Sequence, residues 1–502
     1  METTAVFGLL ICIIPLLPKN IKINRASVIF LISMIFLITF DLTKRSNIYY
    51  GDYILGAGYF LIFFLSVLVG ININERVDLF FFIVIAFAVI SSLLALTQWL
   101  APEIKNLYIR EVPYGGRVFA NTGQPNHLAT MLALGVASTL AVTHKISKNF
   151  QIFLIFILAF ATSLTQSRTG ILQFFAISFF TYILSEGGIK KKITLLFPSI
   201  FILISTYLVR EISFRTELPI PRDILETGVQ SIRTTHWLSL LEAFLKEPLL
   251  GYGWLHTAEA HLIGSNNAGK ELILSYAHNI IFDFFLWFGI IGGVTFILTF
   301  ILFFVDFNST KEIKNPQIIG FTGFSIFFIH CLLEYPFSYL HILIPASIFL
   351  GISLQNCESN FLLKFKYKAF LFFITSFVFL ITLIDYSKSI KSIEAMRFEY
   401  LGIINKKSEI KENKIIILDQ LEGWMKNSYK LPSKEIGEKE LIAYEKAALR
   451  YGTNRLILHA ALANNYHGKI KESKYFINNL CKINTSRECE KYKILYESLK
   501  NK

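Results

Sequence analysis

The stretch "RVFANTGQPNHLATMLALG", Arg117 to Gly135, holds the feature around which the rest of the chain can be read. From Leu128 onward it is apolar enough to enter a membrane. Its first half places Arg117, Asn121, Gln124, Asn126 and His127 at the doorway. A polar group left unsatisfied in hydrocarbon costs several kcal/mol, so this much hydrogen-bonding capacity at the head of a span needs neighbours or a ligand.

Working outward, the 502 residues are 53% hydrophobic and 17% charged, with 48 Phe; a soluble domain carries about a quarter charged residues. Apolar runs of membrane-spanning length recur through the first three-quarters and are absent from the last. The expected fold class is an all-α polytopic membrane protein with about 12 transmembrane helices. They fall near 5–18, 26–40, 53–71, 78–97, 126–143, 150–165, 170–185, 194–209, 279–304, 317–333, 337–354 and 366–384. The first run continues into "LPKNIKINR" without a small-residue cleavage site and is expected to be a retained span. Two divisions follow: a transmembrane domain over 1–384, including a large loop at 210–278, and a polar helical tail over 385–502.

The net charge of +13 does not call for nucleic acid, because the Lys and Arg concentrate in short loops. "KNIKINR" (19–25), "INER" (73–76), "HKISKN" (144–149), "GIKKKI" (188–193), "STKEIKN" (309–315) and "KFKYK" (364–368) alternate with loops far poorer in positive charge. The positive-inside rule places this set in the cytoplasm. Segments 98–125, 163–169, 210–278 and 334–336, and everything after 385, are then expected on the outer, periplasmic face. In the tail, "LIAYEKAALRYGTNRLILHAALANNYHGKIKESKYFINNL" (441–480) reads as amphipathic helices similar to one tetratricopeptide unit, which must pack on neighbouring elements to bury its face.

Ionisable groups near spans are functional candidates by default, and here they gather at the outer ends. "TQSRTG" carries Arg168, "YAHNIIFDFFLWFG" carries His278 and Asn279, and "HCLLEYPFSYLHILIP" carries His330, Glu334, Tyr335 and His341. The large loop adds Arg215, Arg222, Arg233 and His236. Singly, each has an ordinary reading. A histidine can be an interfacial anchor, an arginine can snorkel to headgroups, and Gln124-Pro125 can be a helix start with Pro at the first position. Four segments delivering such groups to one face, while the other shows scattered Lys, favour a site. Arginines bind phosphate oxygens bidentately, and histidine is the usual general base. Loss of pyrophosphate from a sugar carbon needs both, and Arg can take the place of a metal in neutralising the leaving group. Five Cys without regular spacing suggest no zinc site.

In the order "RVFANTGQPNHLAT" (117–130), "SRTG" (167–170), "RTTHWLSLLEAFLKEPLLGYGW" (233–254), "YAHNIIFDFFLWFGIIG" (276–292) and "HCLLEYP" (330–336), the sequence resembles the bacterial protein O-oligosaccharyltransferases, which belong with the O-antigen ligases and O-antigen polymerases. The "GQPNHLA" and "EYP" elements point to the protein-glycosylating branch. The resemblance implies an enzyme of the bacterial inner membrane that moves a glycan en bloc from undecaprenyl pyrophosphate to a Ser or Thr of a periplasmic or pilin protein. It implies no cofactor, no obligatory metal and no nucleic-acid partner. Its functional positions fall on Gln124, His278 and Tyr335, with Arg168 and Arg233 on the arginine positions. His278 is then the expected catalytic residue. Arg168, Arg233, Gln124, Asn126, His127, Arg117, Tyr335, Glu334 and His330 are the expected substrate and pyrophosphate ligands. The usual "FGNFGQPNHLA" is here "FANTGQPNHLA", a change confined to flanking residues.

Alternatives stay open at this point. An O-antigen ligase with a lipid A–core acceptor, or a polymerase, would use the same groups. A transporter or flippase would place ionisable residues along a path through the bilayer rather than at one edge, and a scaffold would leave the polar cluster unexplained. Cys481 and Cys489, in "CKINTSREC", are expected to form a disulfide if the tail lies in an oxidising compartment.

Overall fold

The computed structural model describes residues 20–45, 48–101, 111–112, 117–186, 195–216, 232–264, 274–310, 313–364, 368–400 and 415–500, with the single positions 8, 18 and 103. Nearly all of the expected first span, 5–18, lies outside the described residues, as do Arg222 and much of the loop 210–278. The chain is mostly helical. In order, the helices used below are α1 (Arg25–Lys44), α2 (Tyr50–Asn72), α3 (Val77–Leu100), α4 (Pro125–Ala141), α5 (Lys148–Leu164), α6 (Arg168–Leu184), α7 (Phe197–Thr216), α8 (Ile232–Lys246), α9 (Thr257–Gly264), α10 (Ile280–Asn308), α11 (Asn315–Cys331), α12 (Leu340–Ser353), α13 (Lys368–Tyr400), α14 (Asp419–Tyr429), α15 (Glu438–Tyr451), α16 (Asn454–Tyr466), α17 (Ile470–Ile483) and α18 (Ser486–Lys500). Six of them, α1, α2, α3, α7, α10 and α13, contain stretches long and apolar enough to cross a membrane. This is a multi-pass membrane protein. The expected span at 366–384 belongs to α13, which runs on as helix to Tyr400.

The chain divides into two compact units. The first comprises residues 1–29, 61–229 and 300–369. At its centre lies α4, buried on nearly every side, with Leu132, Ala133 and Ala137 packed among Phe81, Leu158, Phe174, Ile326 and Phe349. A helix that is apolar all round has no face to give to solvent, and the small residues of α4 let its neighbours approach closely. Gly135 shows why: a Cβ there would collide with Ala88 of α3.

Described residues of the expected basic segments 19–25, 144–149, 309–315 and 364–368 gather at one end of this unit, while 188–193 lies outside the described residues. Residues Asn20–Asn24 pair antiparallel with Asn360–Lys364, Ile21 opposite Leu363. This short two-stranded ribbon departs from an all-helical chain. Ile21 and Ile23 turn inward while Asn20 and Lys22 face out, the period-two alternation that a strand requires. Beside it, Asn24 Nδ2 donates to Asp306 at 3.1 Å and Arg25 pairs with the same carboxylate at 2.8 Å. His144 meets Asp78 at 3.0 Å, and Asn315 Nδ2 donates to the Leu140 and Ala141 carbonyls at the C-terminus of α4.

The second unit comprises residues 30–60, 230–299 and 370–502. Here α10 is kinked at Gly289, whose φ of 63° is left-handed, a conformation glycine adopts without strain. The kink exposes two helix carbonyls and one helix amide, and the segment "PLLGYG" takes them up. Tyr252 N donates to Leu286 O at 2.7 Å, Gly253 N to Trp287 O at 2.8 Å, and Ile290 N to Pro248 O at 2.8 Å. The five helices α14–α18 share a core of Tyr444, Ala448, Leu456, Ala460 and Leu480, joined by Leu262 from α9. Asp385 anchors the return of the chain by accepting from the amides of Ile416, Ile417 and Leu418. A disulfide joins Cys481 to Cys489, with Cα atoms 4.6 Å apart.

Candidate active site

The stretch 117–127 lies at the far end of the first unit from its basic loops. The same helices define both ends. Asp78 is in the first turn of α3 and Gln98 in its last, while α4 starts at Pro125 and offers its final carbonyls to Asn315. Seventeen helical residues separate such ends by about 25 Å. At the mouth, Gln98 organises the loop backbone, its Oε1 accepting from Phe119 N and Ala120 N, both at 2.8 Å. Ala120 and Gly123 take positive φ of 47° and 76°, which turns the chain so that Gln124 enters α4 extended with Pro125 at the first helical positions. The Gln124 side chain does not cap the helix. Its Oε1 is buried and has no hydrogen-bond partner among the described residues.

Asn126 connects three segments. Ser167 Oγ donates to its Oδ1 at 2.8 Å, and its Nδ2 lies 3.4 Å from Glu334 Oε1. Ser167 also caps α6, accepting from Gly170 N at 3.0 Å, so the "SRTG" motif is at once a helix start and an orienting contact. One turn deeper, Thr130 Oγ1 sits 2.7 Å from His330 Nδ1 and accepts from Gln173 Nε2 at 2.8 Å, while Gln173 also donates to Ile326 O at 3.0 Å. His127 packs edge-on against Tyr339, ring centroids 4.2 Å apart, with His330 at 5.7 Å and His341 at 6.0 Å. His127 Nδ1 is buried without a hydrogen-bond partner among the described residues. Tyr335 stacks on Tyr339 at 6.2 Å. Arg117 reaches Gln166 O at 3.5 Å, and Arg168, the first residue of α6, is exposed.

His278 belongs to the second unit, immediately before α10. Its φ of 57° is left-handed, a conformation that costs a non-glycine residue about 1–2 kcal/mol and persists only where its surroundings enforce it. They do so on both sides. Ala277 N donates to the buried Asp283 at 2.8 Å, Ala277 O accepts from Trp237 Nε1 at 2.8 Å, and Asn279 Oδ1 accepts from Phe282 N at 3.1 Å. Asp283 is held in turn by Thr257 Oγ1 at 3.0 Å, which accepts from Trp287 Nε1 at 2.8 Å. Arg233 lies on α8, and its side chain is outside the described residues.

Comparison with known proteins completes this picture. Residues 153–297 match a family model described as O-antigen ligase. The chain is 30% identical over 382 residues, 72% of its own length and 67% of the relative's, to the ComP-specific O-oligosaccharyltransferase of Acinetobacter baylyi. The chain belongs to the bacterial O-oligosaccharyltransferases of the O-antigen ligase superfamily. It is also 28% identical over 327 residues to the general O-oligosaccharyltransferase of the same organism, spanning 60% of this chain and 56% of that protein. Membership implies a glycosyltransferase-type activity.

For an O-oligosaccharyltransferase, the first unit supplies one dense constellation: Gln124, Asn126, His127, His330, Glu334 and, at its rim, Tyr335. Several contributors carry no motif. Gln98, Thr130 and Gln173 are single polar residues inside apolar runs. Their only signal in sequence is the cost of burying an amide or hydroxyl there without a partner. Asp283, quoted within its motif, earns its place by fixing the backbone that presents His278. Among the described residues, no cluster of three or more His, Cys, Asp or Glu has the geometry to hold a metal ion.

Proposed function

We propose that this oligosaccharyltransferase moves a glycan en bloc from undecaprenyl pyrophosphate to a Ser or Thr hydroxyl of an acceptor protein, on the periplasmic face of the bacterial inner membrane. The observation that carries the reading is the polar constellation around Asn126 at the end of the first unit away from its basic loops, with buried Gln124 and His127 atoms that have no hydrogen-bond partner among the described residues. Positive loops face the cytoplasm, so this end faces outward. The finer topology proposed with it is twelve spans within 1–384 and a tetratricopeptide-like tail from 385 onward, lying with the 210–278 loop in the periplasm. The packing of Leu262 into the tail core supports a common side for loop and tail.

In the proposed reaction, His278 takes the proton of the acceptor hydroxyl as its oxygen forms a bond to the anomeric carbon. The bond from that carbon to the pyrophosphate oxygen breaks, and the electron pair leaves with the pyrophosphate. Arg168 and Arg233 neutralise that charge, a role in which preorganised cations lower barriers, and no metal is assigned a step. The constellation of the first unit holds the headgroup. The two relatives, one named ComP-specific and one general, favour a protein acceptor over a lipid A–core acceptor or a second lipid-linked repeat.

Co-expression with a lipid-linked glycan pathway and a candidate acceptor protein tests the reading, with the acceptor's intact mass as readout. The acceptor should gain the mass of one whole glycan. His278→Ala should lower the rate by about 10²–10⁴ at unchanged membrane expression. Arg168→Lys and Arg233→Lys, which keep charge but lose the bidentate fork, should each lose activity. Glycan appearing only on lipopolysaccharide would assign the chain to the ligases instead.

A further inference from the structure

His236 and His261 pack against each other in the second unit, on helices tied to the segment that carries His278, and only His278 has a part in the proposed chemistry. His236 and His261 are both buried. The amide of Leu274 donates to Nδ1 of His261 at 3.2 Å, and Nε2 of His261 lies 3.3 Å from Nδ1 of His236. These two contacts fix both tautomers. An imidazole nitrogen that accepts from an amide carries no proton, so neutral His261 is protonated on Nε2 and donates to Nδ1 of His236. His236 then carries its own proton on Nε2. Both rings stay neutral in mild conditions. Burial, and then His278 nearby, holds His236 down to about 4, while burial, and then His236, holds His261 down to about 3.

The same helix is tied to the residues that lead into His278. Trp237, the neighbour of His236, donates to the carbonyl of Ala277, the neighbour of His278. Leu274, on the same run of chain, is bound to His261. Two links therefore lace α8 and α9 to the segment that presents the left-handed His278.

We propose that His236 is a positioning residue for His278, its tautomer set by His261 so that the Nε2–H is offered to the His278 side and orients the imidazole that receives the acceptor's proton. This rests on the reading of His278 as the base. The alternative is that the pair only fills space beneath α8.

Two substitutions separate these roles. His236→Gln keeps an N–H near the Nε2 position and loses the acceptor for His261. His236→Asn keeps an acceptor near Nδ1 and loses the Nε2 donor. With full-length enzyme, lipid-linked glycan and acceptor protein, the Gln variant should keep kcat within about threefold. The Asn variant should lose roughly tenfold or more, short of the 10²–10⁴ expected for losing the base itself. KM should not move in either, and any fall in melting temperature should be similar in the two, since each variant loses one buried hydrogen bond. His261→Asn, which still accepts from Leu274 but cannot donate to His236, should also lower kcat, and it serves if His236→Asn does not fold. Equal activity of the Gln and Asn variants, whether both normal or both lost, overturns the proposal. If both are normal while His278→Ala is dead, the base assignment stands and only the positioning role falls. If His278→Ala is active, the base assignment falls, and this inference with it.

Discussion

Arg450 holds Asp52 through two hydrogen bonds, Nε to Oδ2 and Nη2 to Oδ1 at 3.1 Å, and both side chains are almost fully buried. The pair joins the first turn of α2 to α15 within the second unit. Around it, Asp419 accepts from the Tyr50 and Gly51 amides, and Trp254 Nε1 donates to Asp52 O at 2.9 Å. Removing one partner of such a pair strands a charge in low dielectric, which costs about 3–5 kcal/mol, whereas replacing both with apolar residues is often neutral. Arg450→Met should therefore destabilise the unit by about that amount, and Asp52→Leu/Arg450→Met should recover much of it. Thermal unfolding in detergent, with proteolysis of residues 415–500 as a second readout, checks this. A single variant as stable as the parent would show that the charges are solvated.

Asn126 offers a test within the constellation. Its amide accepts from Ser167 and donates toward Glu334, so Asn126→Asp keeps the shape, loses the donor and places a carboxylate against a carboxylate. Like charges at this separation disfavour each other. Asn126→Asp is expected to impair glycan transfer more than Asn126→Ala at equal membrane expression. Acceptor mass at short reaction times gives the ranking, and equal occupancy in both variants would mean that Glu334 is not positioned through Asn126.

Much of the helical framework could be read from apolar run length alone. The expected spans at 53–71, 78–97, 170–185 and 317–333 fall within a few residues of α2, α3, α6 and α11, because an apolar run ends where a basic loop or a Gly/Pro signal begins. The motif residues Asn126, His127, His330 and Glu334 were legible for the same reason: polar groups at the head of a span stand out against their surroundings. Partner choice was not legible. Nothing in "LALTQWL" says that Gln98 will bind the backbone of Phe119, and nothing in "ILQFF" says that Gln173 will meet Thr130 and Ile326 O. Those contacts depend on how four helices pack, which one sequence does not encode locally. The ribbon at 20–24 and 360–364 was hidden too, since each strand looks like a basic loop until its partner, more than 300 residues away, is beside it.

The buried histidines give the second unit an acid limit. Histidine in an unfolded chain titrates near 6.5, whereas His236 and His261 are held at about 4 and about 3, chiefly by burial. Burial lowers His459 in the tail as well. Below pH 6.5 the unfolded chain takes up protons that the folded one refuses, so stability falls as the pH drops from about 6.5 toward 4. Above 6.5 these groups contribute no slope. Melting temperatures between pH 7.5 and 5 should decline, and a His236→Gln/His261→Gln variant should decline less over the same range, which lies above the ordinary carboxylate range. Parallel curves for parent and variant would assign the acid sensitivity to other groups.

The Cys481–Cys489 bridge closes a short loop between α17 and α18, and its consequence can be measured apart from catalysis. The Cα separation of 4.6 Å lies inside the range that disulfides occupy. Asn484 holds the turn, exchanging amide hydrogen bonds with Asn454 at 2.9 and 3.0 Å and donating to Leu480 O at 2.8 Å. Because the turn is built without the bridge, reduction should leave the fold in place and act mainly by restoring freedom to the unfolded chain. For a loop this short that is worth about 2–3 kcal/mol. The effect should fall on α18, which packs on the rest of the tail through Tyr496, whose hydroxyl lies 2.7 Å from Ser473 Oγ. Cys481→Ser/Cys489→Ser should therefore keep glycan transfer near the parental rate and increase proteolysis near residues 486–500. Thiol labelling of the purified enzyme settles the pairing: with the tail in the periplasm, Cys481 and Cys489 should react only after reduction. Full labelling of both before reduction would show free thiols and count against an oxidising location for the tail. Cys331 and Cys357, free and buried, should react only on unfolding, whether or not reductant is present.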